Sequence, residues 1–91
     1  MDDMVGRVVY SKSGRDKDRM FVVIKVINSR LVMVADGDLR KIENPKVKNI
    51  KHLTPTMIDL EDIKAILEQE TMSANHLLKK SLKNILESRK L

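Results

Sequence analysis

The sequence has no cysteine and no tryptophan, and Tyr10 and Phe21 are its two aromatic residues. Without cysteine the chain has no disulfide, no zinc–thiolate site and no thiol nucleophile. Proteins that bind single-stranded nucleic acid by base stacking normally use several aromatic side chains, and Phe21 lies in an apolar run that is typical of a core strand. A stacking platform for single strands is therefore not expected.

Long apolar runs are also missing. No stretch approaches the roughly 20 apolar residues that a membrane-spanning helix requires. The segment Met1-Asp2-Asp3 is acidic, whereas a secretory signal peptide begins with basic residues. The lack of cysteine suits a reducing compartment. We expect a cytoplasmic protein with no membrane partner.

Residues that could support catalysis are few. His52 and His76 lie in different halves of the chain, and no serine has a recognisable base and orienting group nearby in sequence. Two groups of acidic residues are better explained by their positions than by catalysis or metal binding. Asp2-Asp3 lies at the chain terminus, and residues 59–62 lie at a predicted helix start, where negative charge is favourable. The segment 14–17 lacks the paired glycines and the Gly-Lys-Ser/Thr ending of a phosphate-binding loop. We expect no enzymatic activity, no metal and no cofactor.

Charge and composition divide the chain at one place. The formal net charge is +5, and residues 1–53 hold all of this excess, with 12 Lys and Arg against 7 Asp and Glu. All valines and glycines precede residue 54, whereas the remainder is rich in leucine. Valine favours strands, and Leu, Lys and Glu favour helices. We predict a β domain over residues 1–53, a linker over 54–58 that contains Pro55, and a helical tail over 59–91.

Five short strands are predicted in the first part, at about 4–10, 19–28, 30–35, 39–43 and 49–53. The second strand is nearly continuous in apolar residues, so it should be central and covered on both faces. Asn28-Ser29 and Asp36-Gly37 have the chemistry of tight turns. Five closely spaced strands predict a small, highly curved barrel.

Two helices are predicted in the tail. Thr56 or Asp59 can cap the first and Ser73 the second. Each has an apolar stripe at helical spacing: Leu60, Ile63, Ile66 and Leu67 in the first, and Ala74, Leu77, Leu78, Leu82, Ile85 and Leu86 in the second. The stripes are expected to be buried against each other, against the barrel or against a second chain, so that a monomer and a homodimer are both open.

Basic residues form three stretches at predicted loops and strand ends, namely 12–19, 40–41 and 46–52. Each alone could be an ordinary solvated face, but adjacent loops of a small barrel converge at one end, which favours a shared basic surface. Arg15, Arg19 and Arg40 have the planar guanidinium that pairs with phosphate oxygens, and lysines supply point charges. Backbone and 2′-hydroxyl contacts to structured RNA fit this pattern.

The same residues carry a family resemblance. The run Val5-Gly6-Arg7-Val8-Val9-Tyr10-Ser11-Lys12-Ser13-Gly14-Arg15-Asp16-Lys17, followed by Phe21-Val22-Val23, looks like a KOW motif, and residues 35–41 and 45–53 strengthen the match. Together they resemble small bacterial KOW-domain RNA-binding proteins, which are related to archaeal and eukaryotic large-subunit ribosomal proteins. The helical tail is similar to the tails of that group, but less specifically.

The resemblance implies an SH3-like barrel that binds ribosomal or other structured RNA through its loops without catalysis. Gly14 matches the signature glycine of the motif, and Arg15 and Lys17 match its basic positions. Asp18 stands where glycine is expected, and aspartate tolerates the left-handed backbone conformation better than most residues. The candidate RNA-binding residues are Lys12, Gly14, Arg15, Lys17, Arg19, Arg40, Lys41, Lys46, Lys48 and Lys51.

A second hypothesis is a protein-interaction module, because KOW barrels also bind polymerase or ribosomal proteins. Binding dominated by phosphate contacts weakens steeply as salt rises, whereas an apolar docking site is less sensitive. Salt dependence therefore separates the two hypotheses.

Overall fold

The structure is a computed structural model and describes residues 4–89. The acidic pair Asp2-Asp3 and the last two residues of the predicted tail lie outside this range. The strands are β1 (Arg7–Ser11), β2 (Met20–Val26), β3 (Leu31–Ala35), β4 (Lys46–Asn49) and β5 (Leu53–Asp59), and the helices are α1 (Ile63–Leu67) and α2 (Thr71–Arg89). Single turns of 3₁₀ helix occupy Gly14–Asp16 and Ile50–His52.

The five strands form one antiparallel sheet in the order β4-β3-β2-β1-β5. Strands β1 to β4 pair in sequence, and β5 returns to pair with β1, so that Ser11 lies opposite Leu53. The predicted mainly β fold with five strands and C-terminal helices is confirmed. However, β4 and β5 are the two edges, and the sheet is not closed into a barrel by strand pairing.

The first three predicted strands are found, but the last two were placed wrongly. Residues 39–43 form part of the β3–β4 loop, because the side chain of Asp36 bonds the backbone N–H groups of Asp38 and Arg40 and holds a turn. Residues 50–52 form 3₁₀ helix, and β5 continues through the predicted linker 54–58. Pro55 is compatible with β5 because an edge strand leaves one row of N–H groups without sheet partners.

Both faces of the sheet are covered. Met20, Phe21, Val22 and Val23 of β2 are all buried, which confirms the prediction for the apolar run. Successive side chains of a strand point to opposite faces, so β2 contributes to two core clusters. One contains Val8, Met20, Val22, Ala35, Ile63, Leu78 and Leu82, and the other contains Val9, Phe21, Val23, Val32, Val34 and Leu53.

The helices pack on the first of these faces, through Ile63 of α1 and Leu78 and Leu82 of α2. The predicted stripes are thus buried within the chain in part: Ile63, Ile66, Ala74, Leu78 and Leu82 are buried, whereas Leu77 and Leu86 are 39% and 43% exposed. The helix starts were predicted less well. Strand β5 contains Thr56 and Asp59, α1 begins only at Ile63, and Ser73 lies inside α2. The homodimer stays a prediction. Within residues 4–89, neither helix combines the length and apolar character needed to cross a bilayer.

Candidate nucleic-acid interface

Three loop segments meet at one end of the sheet. The backbone N–H of Lys12 donates to the carbonyl oxygen of His52 at 2.8 Å, which joins the β1–β2 loop to the Ile50–His52 turn. Arg19 Nε donates to Asp36 Oδ2 at 2.7 Å, which joins the β1–β2 loop to the β3–β4 loop. The structure therefore brings together the three basic stretches that are separate in sequence.

The β1–β2 loop depends on two residues with left-handed backbone. Gly14 has φ +78° and Asp18 has φ +68°, so the expected left-handed conformation at Asp18 is confirmed. The N–H of Asp18 donates to the carbonyl of Ser11 at 2.8 Å, and the N–H of Ser11 donates to the carbonyl of Arg19 at 3.0 Å. A Cβ atom at Gly14 would meet open space, so glycine is favoured there by its backbone angle alone.

Asp16 forms ion pairs with two of the candidate lysines. Lys46 Nζ lies 2.7 Å from Asp16 Oδ2, and Lys48 Nζ lies 4.0 Å from the same atom. Lys48 also donates to Ser11 Oγ at 3.1 Å, and its side chain is only 10% exposed. Asp16 is thus an internal counterion that fixes the β1–β2 loop to β4. The ion pairs of Lys46, whose side chain is 31% exposed, and of Lys48 therefore position this loop.

The hydrogen bond from Lys46 lowers the pKa of Asp16 below its ordinary value of 3.8. The charges of Lys46, Lys48 and Arg40 lower this pKa as well, whereas burial opposes them. A carboxyl group with a lowered pKa stabilises the folded state above its unfolded pKa, and this contribution is lost as the pH falls through the folded pKa. The ion pairs of Asp16 are therefore intact at neutral pH.

Asp16→Asn should reduce the free energy of unfolding at pH 7 by about 1–3 kcal/mol, because charge-assisted hydrogen bonds are lost and Lys48 stays nearly buried. The difference in free energy of unfolding between wild type and variant should become smaller below pH 3.8, as Asp16 of the wild type becomes protonated at its lowered pKa. Urea unfolding at several pH values measures both effects. Asp18→Asn is the matched control, since Asp18 is exposed in the same loop. Equal losses in the two variants would contradict the role given to Asp16.

The β3–β4 loop is anchored by buried polar groups. Asp36 is 5% exposed and accepts hydrogen bonds from Arg19 and from the backbone of Asp38 and Arg40. Buried Asn75 of α2 accepts from the N–H of Ile42 at 2.9 Å and donates to Glu43 at 2.7 Å. The hydrogen bond from Asn75 lowers the pKa of Glu43, and the positive charge of Lys41 lowers it by a smaller amount. Helix α2 therefore fixes the loop that carries Arg40 and Lys41.

The contacts that hold these two loops in place were not predicted from the sequence. The contacts of Asp16 with Lys46 and of Asn75 with Glu43 join residues about thirty positions apart, and no local pattern marks them. Asp36 followed by Gly37 is a turn signal, but it does not reveal the close approach to α2. A Cβ atom at Gly37 would lie 2.3 Å from the carbonyl oxygen of Asn75.

The remaining cations point outward. Lys12, Arg15, Lys17, Lys41 and Lys51 are exposed, Arg40 is half-buried, and none of these side chains makes a hydrogen bond or ion pair within residues 4–89. We call these six residues the basic loop surface. Residues 12–19 and 36–52 together contain nine Lys and Arg against five Asp and Glu. Three of these acids, Asp16, Asp36 and Asp38, pair with Arg19, Lys46 and Lys48. No acid forms an ion pair with the six outward cations within residues 4–89, so these are available to an anionic partner.

The fold and this surface define a small, mainly β protein with a basic surface at one end of its sheet. No family model matches the chain. It is similar to a protein of Bacillus subtilis (strain 168) named "Putative ribosome-binding protein YbzG", with 33% identity over 51 residues that make up 56% of this chain and 69% of that protein. The chain belongs to the same family as that protein.

Proposed function

We propose that this chain is a non-catalytic RNA-binding protein that associates with ribosomes in the cytoplasm. Its basic loop surface contacts ribosomal or other structured RNA. The observation that carries the proposal is the convergence of six outward cations at one end of the sheet. The name of the Bacillus subtilis relative, which describes ribosome binding, supports the choice of partner.

The roles of the ten candidate residues differ under this proposal. Lys12, Arg15, Lys17, Arg40, Lys41 and Lys51 contact phosphates, where guanidinium groups form paired hydrogen bonds and ammonium groups act as point charges. Gly14 sets the shape of the β1–β2 loop. Arg19, Lys46 and Lys48 hold the loops through Asp36 and Asp16. The resemblance to KOW proteins and their SH3-like barrels supports loop-mediated contact with RNA.

A second candidate function is a protein-interaction module of the translation machinery. It is favoured by Leu39, which is 69% exposed in the β3–β4 loop beside Arg40. Exposed apolar side chains rimmed by polar residues mark protein-interaction sites where they form a contiguous patch. Ribosomal proteins are the partners expected in that case.

Sedimentation with ribosomal subunits and with protein-free rRNA at increasing salt tests the proposal. Six phosphate contacts predict that affinity falls about 10³-fold between about 50 and 200 mM monovalent salt, because neutralising phosphates releases condensed counterions. Binding to the protein-free rRNA should show the same salt slope as binding to the subunits. Subunit binding that hardly depends on salt, together with no binding to rRNA alone, would favour the protein-interaction module.

A further inference from the structure

A groove of about 360 Å³ lies between α2 and the β1–β2 and β3–β4 loops. Its apolar lining comes from Tyr10, Met20, Leu82 and Leu86. Met20 and Leu82 are almost fully buried, whereas Leu86 is 43% exposed, so the groove has a closed floor and an open rim. The volume lies at the lower end of the range for sites that hold small organic groups.

Charged side chains line the groove from both sides. Arg19 comes from the β1–β2 loop, and Lys79 and Lys83 come from successive turns of α2. The groove is therefore an apolar recess with cations on opposite walls, and its loop wall belongs to the same segment as Lys12, Arg15 and Lys17.

Three acids line the groove: Asp36 and Asp38 are paired with cations, whereas the side chain of Asp18 makes no ion pair or hydrogen bond in the described part of the chain and adds a negative charge to the loop wall. Both carboxylate oxygens of Asp36 accept hydrogen bonds, from Arg19 and from the backbone. Asp38 lies 3.8 Å from Arg19 and 3.6 Å from Lys79. Lys83 makes no ion pair or hydrogen bond with the rest of the described chain, so its positive charge is available at the rim.

We propose that this groove holds one unpaired nucleotide of the bound RNA, an inference that rests on the proposed RNA-binding function. The base lies against Tyr10, Met20 and Leu86, and an adjacent phosphate lies near Lys83. RNA-binding proteins commonly hold unstacked bases on aromatic and apolar side chains. The apolar lining and the unpaired Lys83 on the α2 wall fit a nucleotide better than a purely apolar segment of protein, with the phosphate on that wall and not beside Asp18 of the loop wall.

The scarcity of aromatics excludes a platform for several stacked bases, but one tyrosine is enough for one base. This proposal also gives α2 a part in recognition. Helix α2 supplies Leu82, Leu86 and Lys83 to the groove and, through Asn75, fixes the loop that carries Arg40 and Lys41.

Two hairpin RNAs test the proposal, one with a fully paired stem and one with the same stem carrying a single bulged nucleotide. The wild type should bind the bulged RNA about 10-fold more tightly, which is the usual scale of one base stacked on a protein. Lys83→Glu should remove this preference. Lys80→Glu, an exposed change of the same charge on the same helix but outside the groove lining, should retain it.

Methionine methyl NMR provides a direct readout. The bulged RNA should shift the Met20 methyl resonance, whereas Met57 and Met72, which are 94% and 84% exposed outside the groove lining, should be unaffected. Equal affinity for the two RNAs with no Met20 shift would overturn the groove assignment and leave the proposed function standing. Binding to neither RNA, nor to rRNA, would instead overturn the proposed function. A Met20 shift caused by ribosomal proteins but not by RNA would show that the occupant is a protein.

Discussion

Simultaneous replacement of Arg15, Lys41 and Lys51 by glutamate is expected to reduce affinity for rRNA by about 100-fold or more. The three residues come one from each basic stretch, and all are exposed without ion pairs in the described part of the chain. The change removes three phosphate contacts and adds three repulsive charges, each contact being worth about 1 kcal/mol or more. The slope of log affinity against log salt should become shallower by about 2–3.

Lys25, Lys64 and Lys80 form the matched control. They are exposed, they make no side-chain hydrogen bond or ion pair within residues 4–89, and they lie on β2, α1 and α2, outside the three basic stretches. Their replacement by glutamate changes the net charge by the same amount. Filter binding or sedimentation with rRNA compares the two variants. If both lose affinity equally, the overall charge drives binding, and the basic loop surface has no special role.

Lys46 and Lys48 are unsuitable for such a test, although the sequence presents them as part of a basic stretch. Glutamate at either position would face Asp16, which is 15% exposed and already pairs with both lysines. The β1–β2 loop would be displaced, because like charges held close together repel each other. A loss of binding would then report on the loop structure and not on contact with RNA.

Leu78→Ala is expected to lower the free energy of unfolding by about 2–5 kcal/mol, the usual range for a fully buried leucine. Leu78 is 0% exposed and lies in the same core cluster as Val8, Val22 and Ile63. Because this cluster joins α2 to β1 and β2, the loss should affect helix and sheet in one transition. The effect is large relative to the total stability of about 5–15 kcal/mol of a typical domain.

Urea unfolding followed by both circular dichroism and tyrosine fluorescence measures this loss. The chain has one tyrosine and no tryptophan, so the fluorescence reports on Tyr10 in β1, while circular dichroism near 222 nm is dominated by the helices. Leu77→Ala is the control, since Leu77 is the preceding residue of α2 and is 39% exposed. We expect a loss below about 1 kcal/mol for this variant. Loss of helix signal at lower urea than the tyrosine signal would show that the tail unfolds separately.

Local patterns predicted the parts of the fold that depend on local sequence. The apolar run at Met20–Val26 identified the central strand, and the aspartate in the glycine position of the loop adopted the expected left-handed conformation. The convergence of the basic stretches was expected from a small closed barrel; the loops do meet, although strand pairing does not close the sheet. These features need only strand periodicity and turn chemistry.

Features set by distant contacts could not be predicted in this way. Asp36-Gly37 has the sequence of a tight hairpin, yet α2 holds the following residues in a longer loop through Asn75. Pro55 led to the prediction of a linker, because proline does not fit a central strand. The sequence does not show that this strand lies at an edge of the sheet, where proline is tolerated. The division of the lysines into unpaired and ion-paired groups depends on Asp16, whose partners lie about thirty residues away.

The internal position of Asp16 has a consequence for the release of a bound polyanion. Mobile ions screen charges in water within about 10 Å at 0.1 M salt, but they screen partly buried pairs much less. Because Lys48 is only 10% exposed, a rise in ionic strength should weaken the interaction of the outward cations with phosphates but leave the ion pairs of Asp16, and hence the loop structure, unchanged. Dissociation and rebinding would then be a matter of ion exchange at a preformed surface, with no refolding step to slow either direction.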